Sequence, residues 1–149
     1  MALVDLISPD VVKVPLISDN KPAVLRELVQ ILKDAGKISD FEGVLEAIHK
    51  REDQGSTGLE RGIAVPHAKT EVVQSLTIAI GISPEGIDFN SIDGKPSHLF
   101  FLMLAPTTQS GPHIEALAEI AKLSRSKAFC NTIINARTPH EVVELFCED

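Results

Sequence analysis

Residues 99–105 read Leu-Phe-Phe-Leu-Met-Leu-Ala, and Pro106 follows them directly. Polar and apolar side chains do not alternate along this stretch, as they would in a strand with one face in water. A continuous apolar run of this kind is typical of a central strand that helices cover on both faces. Residues 76–82, Leu-Thr-Ile-Ala-Ile-Gly-Ile, indicate a second buried strand, which we expect to end at Ser83-Pro84.

Helical patterns flank these strands. Apolar residues at i, i+3, i+4 and i+7 predict a first helix that begins near Pro22 and ends before Gly36, where a left-handed C-terminal cap belongs. A second helical pattern continues to Ile48, with Ser39 and Glu42 as its capping box. Further segments are a β-prone stretch at 11–14 and helices from Pro112, over 127–136 and from Thr138-Pro139.

Closely alternating helical and strand patterns predict an α/β fold with a single mixed or parallel sheet and helices on both of its faces. The chain has 149 residues, enough for one compact domain with a sizeable core. No internal repeat, low-complexity tract or linker-like segment divides it. We therefore expect one domain that spans residues 1–149.

The chain is acidic, because 14 Lys and Arg against 21 Asp and Glu give a formal net charge of −7. Such a surface repels nucleic-acid phosphates and anionic lipids, so we expect neither as a partner. No apolar run approaches the roughly 20 residues that span a bilayer, and the first residues lack the basic start of a signal peptide. We expect a cytoplasmic protein without direct membrane insertion.

The two cysteines, Cys130 and Cys147, fall within predicted helices. They lack the CxxC or Cys/His spacing of a zinc site. We expect both to be small, buried and reduced side chains, with a disulfide as the alternative.

The chemistry centres on Pro66-His67, which follows the short apolar segment 63–65. Pro66 holds its own φ near about −65° and lacks an N–H donor, so the chain there is stiff and we expect it to leave the sheet. A neutral imidazole, with an ordinary pKa of about 6.5, is a competent nucleophile and can depart again as a leaving group. Both properties suit a carrier of a transferable group.

Nearby side chains suit a bound phosphoryl group. Arg51 offers a planar fork of N–H donors that stays charged. The Ser56 and Thr57 hydroxyls can add donors around an anion. His113 stands at the start of a predicted helix, where free amides and the helix dipole favour negative charge. Phosphoryl transfer needs mainly in-line positioning and charge stabilisation, which such residues supply.

Each of these residues also has a structural reading. Arg51 could end a helix as a favourable cation. Ser56 and Thr57 could be turn formers or caps, and His113 could be an ordinary first-turn residue. The structural reading is favoured for the remaining histidines, which are His49, His98 and His140.

The order of these motifs resembles the fructose–mannitol class of enzyme IIA in the bacterial sugar phosphotransferase system, including its nitrogen-regulatory branch. The resemblance covers nearly the whole chain. The segments that carry it are Arg51-Glu52, 56–59 (Ser-Thr-Gly-Leu), 62–67 (Gly-Ile-Ala-Val-Pro-His), 86–89 (Gly-Ile-Asp-Phe), Asp93-Gly94 and the His113 helix. One departure is Ala68, since many members carry glycine directly after the active histidine.

The resemblance implies a single domain with a mixed, mostly parallel five-stranded sheet flanked by helices on both faces. It implies that His67 accepts a phosphoryl group from the histidine phosphocarrier protein HPr, or from the paralogue of HPr in the nitrogen branch. His67 would then pass the group to an enzyme IIB. By similarity, Arg51 and His113 support the phosphorylated state, and the transfer needs no metal or other cofactor.

Three alternatives stay open. The chain carries no IIB or IIC segment, which favours a regulatory module whose affinity for protein partners changes when His67 is phosphorylated. A metal site that uses His67 and His113 would need a third ligand, and none has evident ligand spacing. The fold could also persist without the chemistry. The sugar, the reacting ring nitrogen and the oligomeric state stay undetermined, with a weak homodimer among the possibilities.

Overall fold

The computed structural model of the protein describes residues 3–147, so residues 1, 2, 148 and 149 of the predicted domain lie outside it. The helices are α1 (Lys21–Asp34), α2 (Phe41–Glu52), α3 (Ser110–Ser124), α4 (Lys127–Ile134) and α5 (Pro139–Cys147). The strands are β1 (Val12–Lys13), β2 (Ile63–Ala64), β3 (His67–Lys69), β4 (Thr77–Ile87) and β5 (Ser97–Ala105). Short 3-10 helices cover Leu3–Leu6, Pro9–Val11 and Thr107–Gln109.

The strands form one mixed five-stranded sheet, with β4 and β5 antiparallel at its centre. β1 lies parallel to β4, and both β2 and β3 lie parallel to β5. β2 pairs with the first half of β5 and β3 with its last residues, so the two short strands follow one another along a single edge. The predicted fold class is confirmed.

β5 is buried on both faces, which explains why polar side chains are absent from its apolar run. Alternate residues enter the core beneath α1 and α2, namely Phe100, Leu102 and Leu104. The others enter the core beneath α3, α4 and α5, namely Leu99, Phe101, Met103 and Ala105. All of these side chains are at most 1% exposed. Each large one contributes about 1.5–3 kcal/mol by leaving water, so the run at 99–105 is the centre of the fold.

The ends of α1 follow from local sequence. The Asn20 side chain caps the first turn, because its oxygen accepts a hydrogen bond from the Ala23 N–H at 2.9 Å. Gly36 has a φ of 74° and forms the predicted left-handed C-terminal cap. Its N–H donates to the Lys33 carbonyl oxygen at 3.1 Å, so this carbonyl at the end of the helix has a hydrogen-bond partner.

The start of α2 differs from the predicted capping box of Ser39 and Glu42. The N-cap is Asp40, whose carboxylate accepts a hydrogen bond from the Gly43 N–H at 2.9 Å. Gly43 leaves space for this contact, since a Cβ there would clash with the Asp40 carboxylate. A negative carboxylate also suits the positive end of the helix dipole better than a neutral hydroxyl does. The helix therefore begins one residue later than the pattern indicated.

β4 continues to Ile87, although we expected it to end at Ser83-Pro84. Its pairing with β5 shifts register between Ile82 and Ile87, so the intervening residues form a bulge. A proline is tolerated at a bulge because no ladder hydrogen bond requires its missing N–H. Nδ1 of His98 lies 3.0 Å from the Ser83 carbonyl oxygen at this bulge, which agrees with the structural reading of His98.

The second helical layer contains both cysteines. Cys130 of α4 is 3% exposed, as expected. Cys147 is exposed, contrary to expectation. It lies five residues after the buried Val142 and so roughly 140° around α5 from it. Both thiols are free. Among the helices described within residues 3–147, none is long and apolar enough to cross a membrane.

We expect Asp40→Ala to lower the free energy of unfolding by about 1 kcal/mol, because the Gly43 N–H loses its acceptor. Ser39→Ala, at the neighbouring exposed position, is the matched control and should change it by less than about 0.5 kcal/mol. Urea unfolding followed by far-ultraviolet circular dichroism measures both. A larger loss in Ser39→Ala than in Asp40→Ala would identify Ser39 as the cap instead.

Candidate active site

His67 lies at the end of the sheet where β5 finishes. The chain leaves β2 through Val65 and Pro66, and the Pro66 carbonyl oxygen accepts a hydrogen bond from the Met103 N–H at 3.0 Å. β3 then pairs His67 with Met103, so Pro66 interrupts the edge strand but the chain stays on the sheet, contrary to expectation. Ala68 continues β3 in extended backbone. An extended backbone does not require glycine, so this position tolerates the alanine that replaces the glycine common in the family that the motifs resemble.

The ring of His67 is held by the backbone two residues before it. Its Nδ1 lies 2.7 Å from the Val65 carbonyl oxygen. A carbonyl oxygen has no hydrogen to donate, so the ring proton is on Nδ1. In the neutral ring the lone pair is then on Nε2, which makes Nε2 the nucleophilic atom.

His113, in the first turn of α3, packs its ring against that of His67. The ring centroids are 5.4 Å apart and the planes cross at 87°. The His113 side chain is 3% exposed, and neither ring nitrogen has a hydrogen-bond partner within residues 3–147. Burial lowers the pKa of His113, and the nearby His67 and Lys69 lower it further. An unpartnered buried nitrogen typically costs about 1–3 kcal/mol, so the position of this ring calls for a functional explanation.

A groove of about 760 Å³ opens between α2 and α3 over the two histidines. Arg51 reaches it from the last turn of α2, and its Nη1 donates a hydrogen bond to the Gly55 carbonyl oxygen at 2.9 Å. The groove is lined by Gly43, Glu46, Ala47, Lys50, Arg51, Gln54, His67, Ala68, Lys69, His113, Ile114 and Leu117. The structure thus brings together three predicted site residues, namely His67, Arg51 and His113.

Burial is the largest influence on the pKa of His67 and lowers it below its ordinary value of 6.5. The hydrogen bond to Val65 raises this pKa, the Arg51 cation lowers it, and the Glu52 carboxylate raises it. The net effect is a lowered pKa, because the charged ring is poorly solvated beside a guanidinium. His67 is therefore neutral, and nucleophilic, at neutral pH.

Ser56 and Thr57 were predicted to line a phosphoryl pocket, but their hydroxyls lie in a different network. The Thr57 hydroxyl donates to one carboxylate oxygen of Glu52, and the Thr57 N–H donates to the other at 3.2 Å. The Ser56 hydroxyl donates to the Phe89 carbonyl oxygen at 2.7 Å. Lys21 completes the network, with Nζ 2.9 Å from Glu52 Oε1. Both hydroxyls are therefore bound outside the groove, and neither residue lines it.

Glu52 and Lys69 are the site residues that sequence reasoning missed. Glu52 ends α2, where the helix dipole disfavours a negative charge. That mismatch is the signal that the carboxylate needs partners elsewhere in the fold. Lys69 donates a hydrogen bond from Nζ to Ser110 Oγ at 3.0 Å and so ties β3 to the first turn of α3. Nothing in the sequence near Lys69 indicates that contact.

The two histidines meet without a third ligand. Within the described part of the chain, no group of three or more His, Cys, Asp and Glu side chains is placed to hold a metal ion. The metal-site alternative therefore lacks the ligand that it requires.

Known proteins are similar to this chain in both sequence and fold. A sequence model of the family described as "Phosphoenolpyruvate-dependent sugar phosphotransferase system, EIIA 2" matches residues 5–148. The fructose-specific EIIABC component of Bacillus subtilis strain 168 is 35% identical over 145 residues, which are 97% of this chain and 23% of that protein. A nitrogen regulatory protein of Bradyrhizobium diazoefficiens is 33% identical over 132 residues, which are 85% of this chain and 82% of that protein.

A solved structure agrees with these matches. The crystal structure of nitrogen regulatory protein IIA-Ntr from Neisseria meningitidis has a TM-score of 0.88 and 26% identity, over 96% of this chain and 97% of that one. The chain spans only 23% of the Bacillus protein but most of both nitrogen regulatory proteins. The family indicated by the motifs is thus confirmed.

We expect His67 and His113 both to titrate below 6.5, and Arg51→Gln to raise the pKa of His67, because it removes a cation that disfavours the charged ring. A pH titration of the ring nitrogens by nuclear magnetic resonance measures these values. Lys122→Gln, which removes a cation from the exposed last turn of α3, is the control and should leave His67 unchanged. An unchanged or lowered pKa of His67 in Arg51→Gln would contradict the electrostatic account.

Proposed function

Because this chain belongs to the EIIA 2 family of the phosphoenolpyruvate-dependent sugar phosphotransferase system, we propose that it carries a phosphoryl group on Nε2 of His67. The group arrives from phosphorylated HPr and leaves to the acceptor residue of an enzyme IIB. The transfers take place in the cytoplasm, a reducing compartment that suits the free thiols of Cys130 and Cys147.

The hydrogen bond between His67 Nδ1 and the Val65 carbonyl oxygen is the observation that carries this proposal. It holds the proton on Nδ1, which leaves the lone pair on Nε2 of a ring that lines the groove. Arg51 and His113 line the same groove, so a phosphoryl group on Nε2 has donors beside it. A histidine that served only the fold would not require this combination.

In the transfer, the Nε2 lone pair attacks phosphorus in line with the breaking P–N bond of the donor phosphohistidine. The electron pair of that bond returns to the donor imidazole. Nδ1 of His67 keeps its proton, so the phosphorylated ring carries a positive charge that the Val65 carbonyl dipole stabilises. When the acceptor nucleophile of enzyme IIB attacks phosphorus in line, the electron pair of the P–N bond returns to Nε2, and the ring departs as a neutral imidazole, which is a good leaving group.

Arg51 and His113 stabilise the oxygens of the phosphoryl group. The Arg51 guanidinium exchanges its contact with the Gly55 carbonyl for a charge-assisted bond to a phosphoryl oxygen. An N–H of His113 donates to another oxygen, which gives a partner to a ring nitrogen that has none within residues 3–147. Loss of one such donor typically slows a reaction by about 10²–10³-fold. Ser56 and Thr57 act indirectly, since their hydroxyls are already bound elsewhere.

A regulatory role is the second candidate, and the likeness to nitrogen regulatory proteins favours it. A phosphoryl group adds about −1.5 to −2 charge at neutral pH. On His67 that charge would appear beside Ile114, which is 64% exposed at the edge of the groove. A protein that binds an apolar patch would then lose or gain affinity with phosphorylation.

We expect wild-type protein, incubated with phosphoenolpyruvate, enzyme I and HPr, to gain one acid-labile phosphoryl group, and His67→Ala to gain none. Intact-mass spectrometry before and after brief acid treatment measures the gain. His98→Ala is the control and should be phosphorylated like the wild type. His98 lies in β5, where its ring contacts the Ser83 carbonyl oxygen at the bulge of β4, and it does not line the groove. Phosphorylation of His67→Ala, or none of the wild type with HPr or its nitrogen paralogue, would refute the carrier role.

The two candidate functions predict different transfer rates. A sugar carrier should accept the phosphoryl group at least about tenfold faster from HPr than from the nitrogen paralogue, a difference of about 1.4 kcal/mol in barrier. It should also be discharged by a purified fructose-class IIB. Rapid-quench mass spectrometry with each donor, then with IIB, measures both steps. Faster uptake from the nitrogen paralogue without discharge by IIB would establish the regulatory role.

A further inference from the structure

We propose that Thr57, Glu52 and Lys21 are positioning residues that hold the His67 ring in its reactive tautomer. These three residues contact no reacting atom. They form a chain of polar contacts that begins at Lys21 in α1, passes through Glu52 at the end of α2 to Thr57, and ends at the Val65 N–H. The proposal rests on the proposed phosphoryl transfer for its effect on rate, but not for its effect on the ring.

Glu52 is at the centre of the network. Its side chain is 5% exposed, and that of Lys21 is 18% exposed, with 2.9 Å between Nζ and Oε1. Both carboxylate oxygens also accept hydrogen bonds from Thr57, one from its N–H and one from its hydroxyl. A largely buried carboxylate is stable only when it is paired and hydrogen-bonded. These contacts therefore determine where the backbone of Thr57 lies.

Thr57 passes this constraint to the active histidine through the backbone. Its carbonyl oxygen accepts a hydrogen bond from the Val65 N–H at 3.0 Å. The carbonyl oxygen of Val65 lies 2.7 Å from His67 Nδ1. The next residue, Gly58, bridges to Ala64, so the whole segment is held along β2. A shift of Thr57 would move the acceptor that keeps the proton of His67 on Nδ1.

The remaining contacts of Lys21 anchor the far end of the network. Its Nζ lies 4.5 Å from the centroid of the Phe89 ring, which is fully buried. It also lies 3.5 Å from both the Phe89 carbonyl oxygen and Ser56 Oγ. The cation is thus held by a rigid part of the core, so Glu52 has a fixed partner.

Neighbouring residues of α2 have separate tasks on this view. Arg51 faces the groove and contacts the oxygens of the phosphoryl group, whereas the Glu52 carboxylate binds Thr57 and Lys21 in the network. The other charged groups that line the groove with His67 are Glu46, Lys50 and Lys69, and the titratable ring of His113 packs against it. None of these is hydrogen-bonded to the Val65 carbonyl. The position of that carbonyl is set by the Thr57 contact on one side and by the pairing of β2 and β3 with β5 on the other, and Thr57 is the part of this support that side chains control.

The test measures the tautomer and the transfer rate separately in the full chain. Long-range proton–nitrogen correlation spectra of the unphosphorylated protein report which ring nitrogen of His67 is protonated. We expect Nδ1–H in the wild type and an increased share of Nε2–H in Thr57→Val and Glu52→Gln. Single-turnover uptake from the donor that phosphorylates the wild type should slow by about 10–100-fold in these variants, as when a reacting group is misplaced.

Two matched variants separate positioning from general effects. Thr57→Ser keeps the hydroxyl and should behave like the wild type. Asp53→Asn removes a negative charge from the exposed residue beside Glu52 and should also behave like the wild type. Amide spectra confirm folding, and if Glu52→Gln does not fold, Thr57→Val decides the question.

Wild-type tautomer populations in Thr57→Val and Glu52→Gln would overturn the proposal, even if transfer slowed. Slow transfer in Asp53→Asn would overturn it as well, because charge alone would then explain the effect. A wild type that takes no phosphoryl group from either donor, while the variants still change tautomer, would refute the proposed function and leave the positioning role supported.

Discussion

The burial of β5 on both faces is the constraint on which this structure depends. Its apolar side chains leave no face for water, so helices must cover the sheet on each side. The last residues of β5 also organise the site. They pair with β3 and so position His67, and the chain that leaves Ala105 passes through the short 3-10 helix Thr107–Gln109 into α3, which carries His113. One strand therefore places both histidines at the same end of the sheet.

The site combines two histidine rings whose surroundings provide few hydrogen-bond partners and disfavour a positive charge. His113 is buried with neither ring nitrogen bonded within residues 3–147, and His67 is shifted towards its neutral form by burial and by Arg51. Both features oppose a positive charge on the imidazoles and favour an incoming group that brings negative oxygens. The packed core beneath the site holds these unfavourable contacts in place.

The last turn of α2 places opposite charges next to each other for different reasons. Arg51 is at the helix end that favours cations and reaches into the groove. Glu52 is disfavoured by the same dipole and is stabilised by Lys21 and Thr57. Because consecutive helical residues point about 100° apart, one turn can serve the bound group with one side chain and the interior with the next.

Carrier proteins of this kind must bind the transferred group neither too tightly nor too loosely. On the proposed function the Val65 carbonyl contributes to that balance. It accepts the Nδ1 proton of the unphosphorylated ring, and the same contact would support the cationic ring once His67 carried the group. A side-chain acceptor could rotate away, whereas a backbone carbonyl held in a strand edge keeps its direction.

Local sequence determined the main elements and the central histidine. Apolar periodicity identified the helices and the buried strand 99–105, and the segment ending in Pro66-His67 singled out the histidine that the structure places in the groove, because such patterns depend on residues close in the chain. Turn and cap details were less certain, since Ser39 and Asp40 are both good N-cap residues and only the path of the chain selects between them. The extension of β4 past Pro84 likewise depends on its pairing with another strand.

Only the tertiary structure decided which contacts the side chains of the site make. The hydroxyls of Ser56 and Thr57 can form hydrogen bonds with either a phosphoryl group or the interior of the protein. Their direction is set by the acceptors that folding places beside them, namely the Phe89 carbonyl and the Glu52 carboxylate. The contact between His67 and His113 has the same origin. Sequence spacing specifies which side chains are available, but the distance between two of them depends on how the sheet and its helices pack, and packing is a property of the whole chain.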